Sequence, residues 1–151
     1  QGLHTCVETS GFGSPDILLE MASCTDLFLF DYKITGNEAH KQYCSVPSAP
    51  ILHNLGLLNQ FGKPVILRCP LIPSINGTRE HQKGIAEIAL AHPNSVLEVH
   101  IEPYHRLGIS KAVQLGITPA YEADVPDPGF VGEFADTLQT LCGERIHVKV
   151  N

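Results

Sequence analysis

The stretch Asp26-Leu-Phe-Leu-Phe-Asp-Tyr-Lys33 decides the fold of this chain. Its apolar run, Leu27 to Phe30, is too short for a stable helix and is rich in bulky residues. Such a run is typical of a strand that is buried on both faces, as in parallel sheets covered by helices. The run ends at Asp31 and Lys33, which a strand places on one face because successive side chains alternate.

Four other strand patterns accompany this one, and helical patterns separate them. The five predicted strands cover residues 3–8, 26–33, 64–69, 96–101 and 145–150. Parallel neighbours need crossovers of this length, and those crossovers are right-handed. The sequence therefore predicts an α/β fold with a parallel sheet. A length of 151 residues indicates a single domain, residues 1–151.

Composition excludes several classes of partner. The chain has 10 Lys and Arg against 16 Asp and Glu, and this net charge of −6 argues against nucleic acid or an anionic membrane as the main partner. Apolar runs stay well below the ~20 residues that cross a bilayer. The five cysteines lie far apart, with neither a disulfide framework nor a metal-binding spacing. We therefore expect a cytoplasmic protein.

Polar residues gather where the predicted strands end, and that edge of a parallel sheet is where α/β proteins bind ligands. Arg68 directly follows an apolar run, so we expect it to face an anion or to form an internal ion pair with Asp31. Asp31 and Lys33 either contact a ligand or pair at the sheet rim. The candidate site residues are Glu8, Thr9, Asp31, Lys33, Arg68 and His105.

A second polar group lies on one face of the strand at 96–101. Glu98, His100 and Glu102 alternate with apolar residues there, and their side chains could bind a metal. Ligands crowded along one strand rarely close around an ion. We therefore interpret the group as a polar strand face.

Four segments carry a family resemblance: His-Thr-Cys-Val-Glu-Thr-Ser-Gly-Phe at 4–12, Asp-Leu-Phe-Leu-Phe-Asp-Tyr-Lys at 26–33, Leu-Arg-Cys-Pro-Leu-Ile-Pro at 67–73 and Glu-Pro-Tyr-His-Arg-Leu-Gly at 102–108. In this order they resemble the later part of the glycyl-radical-enzyme activating enzymes, the pyruvate formate-lyase activating enzyme family of radical SAM proteins. The resemblance implies a partial (β/α)6 barrel. This chain would supply its strands 3 to 6 with the closing helix and strand, the C-terminal two-thirds of the barrel.

The resemblance also implies roles for the candidate residues. Asp31, Lys33 and His105 would contact S-adenosylmethionine, with Arg68 close by. Glu8 and Thr9 would line the methionine end of that cofactor or an adjacent cation.

The activity is likewise implied by the resemblance. In the intact enzyme a reduced [4Fe–4S] cluster would cleave S-adenosylmethionine to a radical that takes a hydrogen from a glycine of a partner enzyme. The partner would be a pyruvate formate-lyase-like glycyl radical enzyme, and flavodoxin or ferredoxin would donate the electron.

Two family motifs do not occur in this sequence: the Cys-x3-Cys-x2-Cys loop that binds the cluster, and the Gly-Gly-Glu motif. The sequence opens at Gln1, without Met, on strand-like residues. We therefore expect a fragment that is inactive alone, contributes no metal ligands, and exposes a sheet edge at residues 3–8. Ser74 stands where many relatives have glycine, which leaves the local turn geometry open.

Two other functions remain open from the residues. The first is a Schiff-base lyase of barrel type with Lys33 as the nucleophile, although Asp31 two residues away disfavours a desolvated amine. The second is a non-catalytic α/β module that binds a nucleotide or a protein.

Overall fold

The computed structural model describes residues 2–118 and 123–151. This part of the chain contains one five-stranded sheet, in which every pair of neighbouring strands is parallel and the strand order follows the sequence. The strands are β1 (Cys6–Thr9), β2 (Leu27–Asp31), β3 (Val65–Leu71), β4 (Val96–Pro103) and β5 (His147–Val150). The predicted α/β class with parallel strands is confirmed.

Helices form the connections between the strands. They are α1 (Pro15–Ala22), α2 (Asn37–Cys44), α3 (Ala49–Gln60), α4 (Pro73–Asn76), α5 (Arg79–Ala91), α6 (Leu107–Gln114) and α7 (Pro128–Cys142). None of these described helices is long and apolar enough to cross a membrane.

The hydrophobic core lies on one face of the sheet. Along β3, burial alternates strictly, with Leu67 and Cys69 buried and Arg68 between them only half-buried. The buried strand residues pack with apolar residues of helices α1, α3, α5 and α7. On the other face, no described helix covers the strands, so that face carries partly exposed side chains.

The prediction that β2 is buried on both faces is wrong for one of the two faces. Phe28 and Phe30 are fully buried, but Leu27 and Leu29 are only half-buried. The physical reason is the one-sided packing, because only the face of Phe28 and Phe30 meets helices among the described residues. The apolar run identified the strand but overstated how deeply its second face is buried.

The sequence predicts that Thr78 caps one helix and that Asp127-Pro128 opens another, and the structure confirms both starts. The Thr78 hydroxyl accepts a hydrogen bond from the His81 N–H at the start of α5. The Asp127 carboxylate accepts from the N–H groups of Gly129 and Phe130 at the start of α7. Both caps satisfy backbone donors that the first helical turn leaves free.

Two local predictions are wrong. The capping-box spacing of Thr35 and Glu38 predicts a helix that Thr35 caps, but α2 begins at Asn37 after Gly36 without a side-chain cap. The two prolines in residues 70–77 predict a loop, but β3 continues to Leu71 and α4 begins at Pro73. Pro70 is tolerated in β3 because it lies beyond Arg68, the last β3 residue paired with β2, where no ladder bond needs its missing N–H.

Candidate cofactor-binding site

Charged and polar side chains cross the uncovered face of the sheet in one row. The strand register places Asp31 of β2 beside Arg68 of β3, then His100 of β4, then Lys149 of β5. Aligned residues in neighbouring strands present their side chains on the same face. This row is therefore a property of the strand register, and its members lie at different positions in the sequence.

Arg68 lies between two carboxylates on that face. Its Nη1 is 2.5 Å from Oε1 of Glu8, and its Nε donates to Oε1 of Glu102 at 2.9 Å. The hydrogen bond to Glu102, followed by the attraction of the neighbouring carboxylates, raises the pKa of the guanidinium. The predicted alternative partner, Asp31, makes no direct ion pair with Arg68. Arg68 instead joins β1, β3 and β4.

Asp31 pairs with Lys33 across a distance of 2.8 Å between Oδ2 and Nζ. The Lys33 side chain keeps 40% of its accessible surface, whereas that of Asp31 keeps 18%. With this exposure the Lys33 ammonium can still donate a hydrogen bond to a ligand, and the partly buried Asp31 carboxylate can still accept one. The pair also disfavours a Schiff-base role for Lys33, which needs a desolvated amine without a counter-ion.

Lys33 lines two clefts at the carboxyl edge of the sheet. The larger, about 500 Å³, lies between Lys33, the last turn of α2 and the segment from Pro70 to Asn76, and its lining is mostly apolar. The smaller, about 270 Å³, contains both Asp31 and Lys33 together with Ser10 and Phe12 from the loop after β1. Lys33 is thus accessible from two sides.

The remaining two predicted residues lie apart from this cluster. Thr9 alternates with Glu8 and so lies on the helix-covered face, where its hydroxyl accepts from the Gly11 N–H at 3.0 Å. His105 follows β4 at the same edge as Lys33 and is exposed. Within the described part of the chain, no hydrogen bond joins His105 to the other candidates. A cofactor role for all six residues stays a prediction.

Beyond Arg68 the polar face continues as a connected network. Glu98 accepts from Lys149 at 2.7 and 2.8 Å and lies 2.8 Å from Nε2 of His100. The hydrogen bond from Lys149, and then that from His100, lowers the pKa of Glu98. Asn151 donates to Glu102 at 2.7 Å and lies 3.2 Å from Nδ1 of His100. These side chains satisfy one another, which agrees with the interpretation of a polar strand face.

Sequence reasoning missed Asn76, the buried residue that joins the ends of β2 and β3. Its amide nitrogen donates to the carbonyls of Lys33 and Pro70, and its oxygen accepts from the Ile72 N–H. The available signal was a polar residue that ends a proline-rich segment between a strand and a helix. Its partner Lys33, which lies just beyond β2, could be found only from the tertiary structure.

The geometry fits S-adenosylmethionine but does not fit an iron–sulfur cluster. Carboxylates such as Asp31 and Glu8 accept hydrogen bonds from ammonium and hydroxyl groups, and Lys33 donates to a carboxylate, so the donor set matches that cofactor. A cluster needs several thiolates together. In residues 2–118 and 123–151, no three His, Cys, Asp or Glu side chains could hold a metal ion.

Individual curated proteins resemble this chain in sequence, and solved structures resemble it in fold. No family model matches the sequence. It is 34% identical over 149 residues to an isethionate sulfite-lyase activating enzyme of Desulfovibrio desulfuricans, a match that covers 97% of this chain and 47% of that protein. It is 33% identical over 138 residues to a 4-hydroxyphenylacetate decarboxylase activating enzyme of Clostridioides difficile, covering 89% of this chain and 43% of that protein.

Two solved structures share the fold. A domain of a pyruvate-formate lyase-activating enzyme from Bacteroides vulgatus superposes with a TM-score of 0.79 at 22% identity, over 100% of this chain and 83% of that one. A radical SAM methyltransferase from Sphaerobacter thermophilus gives a TM-score of 0.66 at 15% identity, over 96% of this chain and 40% of that one. At these identities, the likeness concerns the fold alone.

The five-stranded parallel sheet has the fold of a radical SAM domain. Within that superfamily, the chain belongs to the glycyl-radical-enzyme activating enzymes. It spans less than half the length of the curated relatives cited above.

Proposed function

We propose that this chain supplies the S-adenosylmethionine-binding strands of an enzyme that activates a glycyl radical enzyme. One observation carries the proposal: the Asp31–Lys33 pair lies at the carboxyl end of β2, on the uncovered face, next to the carboxylates bridged by Arg68. A zwitterionic cofactor with ribose hydroxyls needs both donors and acceptors in one place, and this edge offers both.

In the proposed site, each residue has a role that follows from its surroundings. Lys33 is the exposed donor for a carboxylate or hydroxyl of the cofactor, and Asp31 is the nearby acceptor. Arg68 is already bonded to Glu8 and Glu102, so its main effect is to hold these two carboxylates in place on the sheet face. When bound, the cofactor supplies the hydrogen-abstracting chemistry.

The rest of the activating reaction needs groups from outside this sequence. A cluster loop of the Cys-x3-Cys-x2-Cys type would have to come from other residues, because the five cysteines here lack that spacing. The protein substrate we propose is a glycyl radical enzyme of pyruvate formate-lyase type. The proposed electron donor is flavodoxin or ferredoxin. These finer assignments follow from the family resemblance, and we propose a cytoplasmic location on the same basis.

A calorimetric titration of the chain with S-adenosylmethionine tests the proposal. We expect binding by the unmodified chain and an affinity about tenfold or more lower for Lys33→Ala, since each charge-assisted hydrogen bond contributes roughly 1.5–3 kcal/mol. Lys41→Ala is the matched control, because Lys41 also forms a lysine–carboxylate pair, with Glu38 at 2.9 Å, but on the outer surface of α2. Its affinity should not change.

Thermal melting of the same variants separates a binding role from a structural one. If Lys33→Ala binds the cofactor normally but melts much earlier, the Asp31–Lys33 pair is only scaffold and the proposal is wrong. If the proposal is right, joining the unmodified chain to a polypeptide that carries the cluster loop should restore reductive cleavage of the cofactor, measured as release of 5′-deoxyadenosine.

A further inference from the structure

We propose that Asn76 is a positioning residue that fixes the backbone carrying Lys33 at the mouth of the site. The inference rests on the proposed function, in which Lys33 contacts the cofactor. Asn76 is the last residue of α4 and is 3% exposed. It lies 43 residues from Lys33 in sequence, so this link exists only in the folded chain.

The amide of Asn76 bonds to the backbone at three residues, which belong to two separate segments of the chain. Its Nδ2 donates to the Lys33 carbonyl at 2.9 Å and to the Pro70 carbonyl at 2.7 Å, and its Oδ1 accepts from the Ile72 N–H at 2.8 Å. The Lys33 contact lies just beyond β2, and the Pro70 contact lies near the end of β3. One side chain therefore fixes the ends of two neighbouring strands relative to each other.

Backbone hydrogen bonds between β2 and β3 do not hold the chain at Lys33 in place. The register of β2 with β3 ends at Asp31 and Arg68, and the Tyr32 N–H donates to the Arg68 carbonyl at 2.7 Å. Beyond this bond, the Lys33 carbonyl has Asn76 as its partner. Without Asn76, this part-buried carbonyl would need another donor, and the chain at Lys33 would lose its connection to β3.

Asn76 acts on a ligand through Lys33 rather than by direct contact. An asparagine amide has two N–H donors, and both are already used by backbone carbonyls. The same residue lines the 500 Å³ cleft together with Lys33 and Pro70, so a shift of this backbone changes the shape of the cleft. Asn76 therefore holds the backbone of Lys33, the residue that is proposed to touch the cofactor.

The chain contains a matched control in Gln139. Its amide nitrogen donates to the carbonyls of Gly143 and Ile146 at 2.7 and 3.0 Å, and its oxygen accepts from the Val148 N–H at 2.9 Å. The number and kind of bonds are therefore the same as for Asn76. These bonds join the end of α7 to β5, at the amino edge of the sheet and away from Lys33.

The test compares Asn76→Ala with Gln139→Ala by calorimetric titration with S-adenosylmethionine and by thermal melting. We expect both variants to melt earlier but only Asn76→Ala to bind about tenfold more weakly. In the Lys33→Ala background, Asn76→Ala should weaken binding by less than about threefold, because a residue that acts through Lys33 has little left to act on. Asn76→Asp, which keeps the acceptor for Ile72 and loses both donors, replaces Asn76→Ala if that variant does not fold.

Equal binding by the Asn76 variants and the unmodified chain would overturn the inference, as would fully additive effects with Lys33→Ala. Hydrogen exchange by mass spectrometry provides a readout that needs no cofactor. Asn76→Ala should raise exchange at residues 33–36 and 70–76, whereas Gln139→Ala should not. If the unmodified chain binds no cofactor, the proposed function fails, and exchange alone then decides whether Asn76 holds Lys33; unchanged exchange there means that it does not.

Discussion

Single side chains on the uncovered face are held by several partners, and Arg68 is the clearest case. A guanidinium presents its N–H donors in a planar fork, which lets one residue bond to carboxylates on two sides. Arg68 uses this geometry to reach Glu8 on β1, across the intervening strand β2, and Glu102 on the neighbouring strand β4. The face can therefore carry many charges because opposite charges lie in contact.

His81 shows the opposite situation, a titratable group in the core. It is 2% exposed, its ring stacks on Tyr32 at 5.7 Å between centroids, and its Nδ1 accepts from the Thr35 N–H at 3.2 Å. Its Nε2 has no partner among the described residues. Burial lowers the pKa of His81 to about 4, from an ordinary value of 6.5. The neutral ring is therefore the form that fits the folded chain.

This pKa predicts how stability depends on pH. Between pH 6.5 and pH 4, the unfolded chain binds a proton at His81 that the folded chain does not, so the free energy of unfolding falls as pH falls. Above pH 6.5, His81 is mostly neutral in both the folded and the unfolded chain, so this loss in the free energy of unfolding is absent. We expect a loss of about 2 kcal/mol between pH 7 and pH 5 from this residue.

Urea unfolding at several pH values checks the prediction. His81→Gln should flatten the pH dependence in this window, whatever it does to stability at pH 7. His53→Gln, which changes an exposed histidine on α3, should leave the pH dependence as it is. An unchanged slope in His81→Gln would show that another group causes the acid sensitivity.

At the scale of elements, the loop between β1 and α1 is built around a close approach. Gly11 has a φ of +71°, and an added Cβ would lie 2.1 Å from the Phe30 ring. Asn54 on α3 donates to the carbonyls of Gly11 and Gly13 at 2.8 and 3.0 Å. The loop that follows Glu8 is therefore pressed onto the core from two sides.

Two glycines in that loop should respond differently to alanine. Gly11→Ala meets both the strained φ and the fully buried Phe30, so we expect a loss of about 2 kcal/mol or more in the free energy of unfolding. Gly13→Ala has nothing within 4 Å of the new Cβ, so its effect should stay within about 0.5 kcal/mol. Denaturant titration of both variants measures the difference, and similar losses would mean that the contact with Phe30 is not what limits the loop.

At the scale of the molecule, the cysteines are too scattered to form a redox centre. They occur on β1, after α1, on α2, on β3 and on α7, namely Cys6, Cys24, Cys44, Cys69 and Cys142. Cys69 and Cys142 are buried, and burial raises the pKa of both thiols, that of Cys142 to about 11. Thiols in this state are poor cluster ligands because the thiolate is the binding form.

We therefore predict that anaerobic reconstitution of this chain with iron and sulfide yields no stoichiometric cluster. Iron and acid-labile sulfide content, with the visible absorption spectrum, are the measurements. The same chain joined to a Cys-x3-Cys-x2-Cys segment should take up about four irons and serves as the positive control. A full cluster in the chain alone would contradict the prediction.

The sequence by itself determined the order of the elements and the class of fold. The apolar run before Asp31 and the caps at Thr78 and Asp127 are local signals, because each depends on residues within a few positions. Local signals failed where distant residues compete. Thr35 does not cap α2 because its hydroxyl accepts from Tyr32 and lies 2.9 Å from Nδ1 of His81.

Only the tertiary structure decided which charges meet. Strand alternation predicts that Asp31 and Lys33 share a face, but the pairing of Arg68 with Glu8 and Glu102 depends on the register of three strands. The same holds for Asn76, whose partner Lys33 comes from another element. Ion pairs and buried amides depend on distances of about 3 Å. Such distances are set when helices pack the sheet from one side, and no sequence spacing records them.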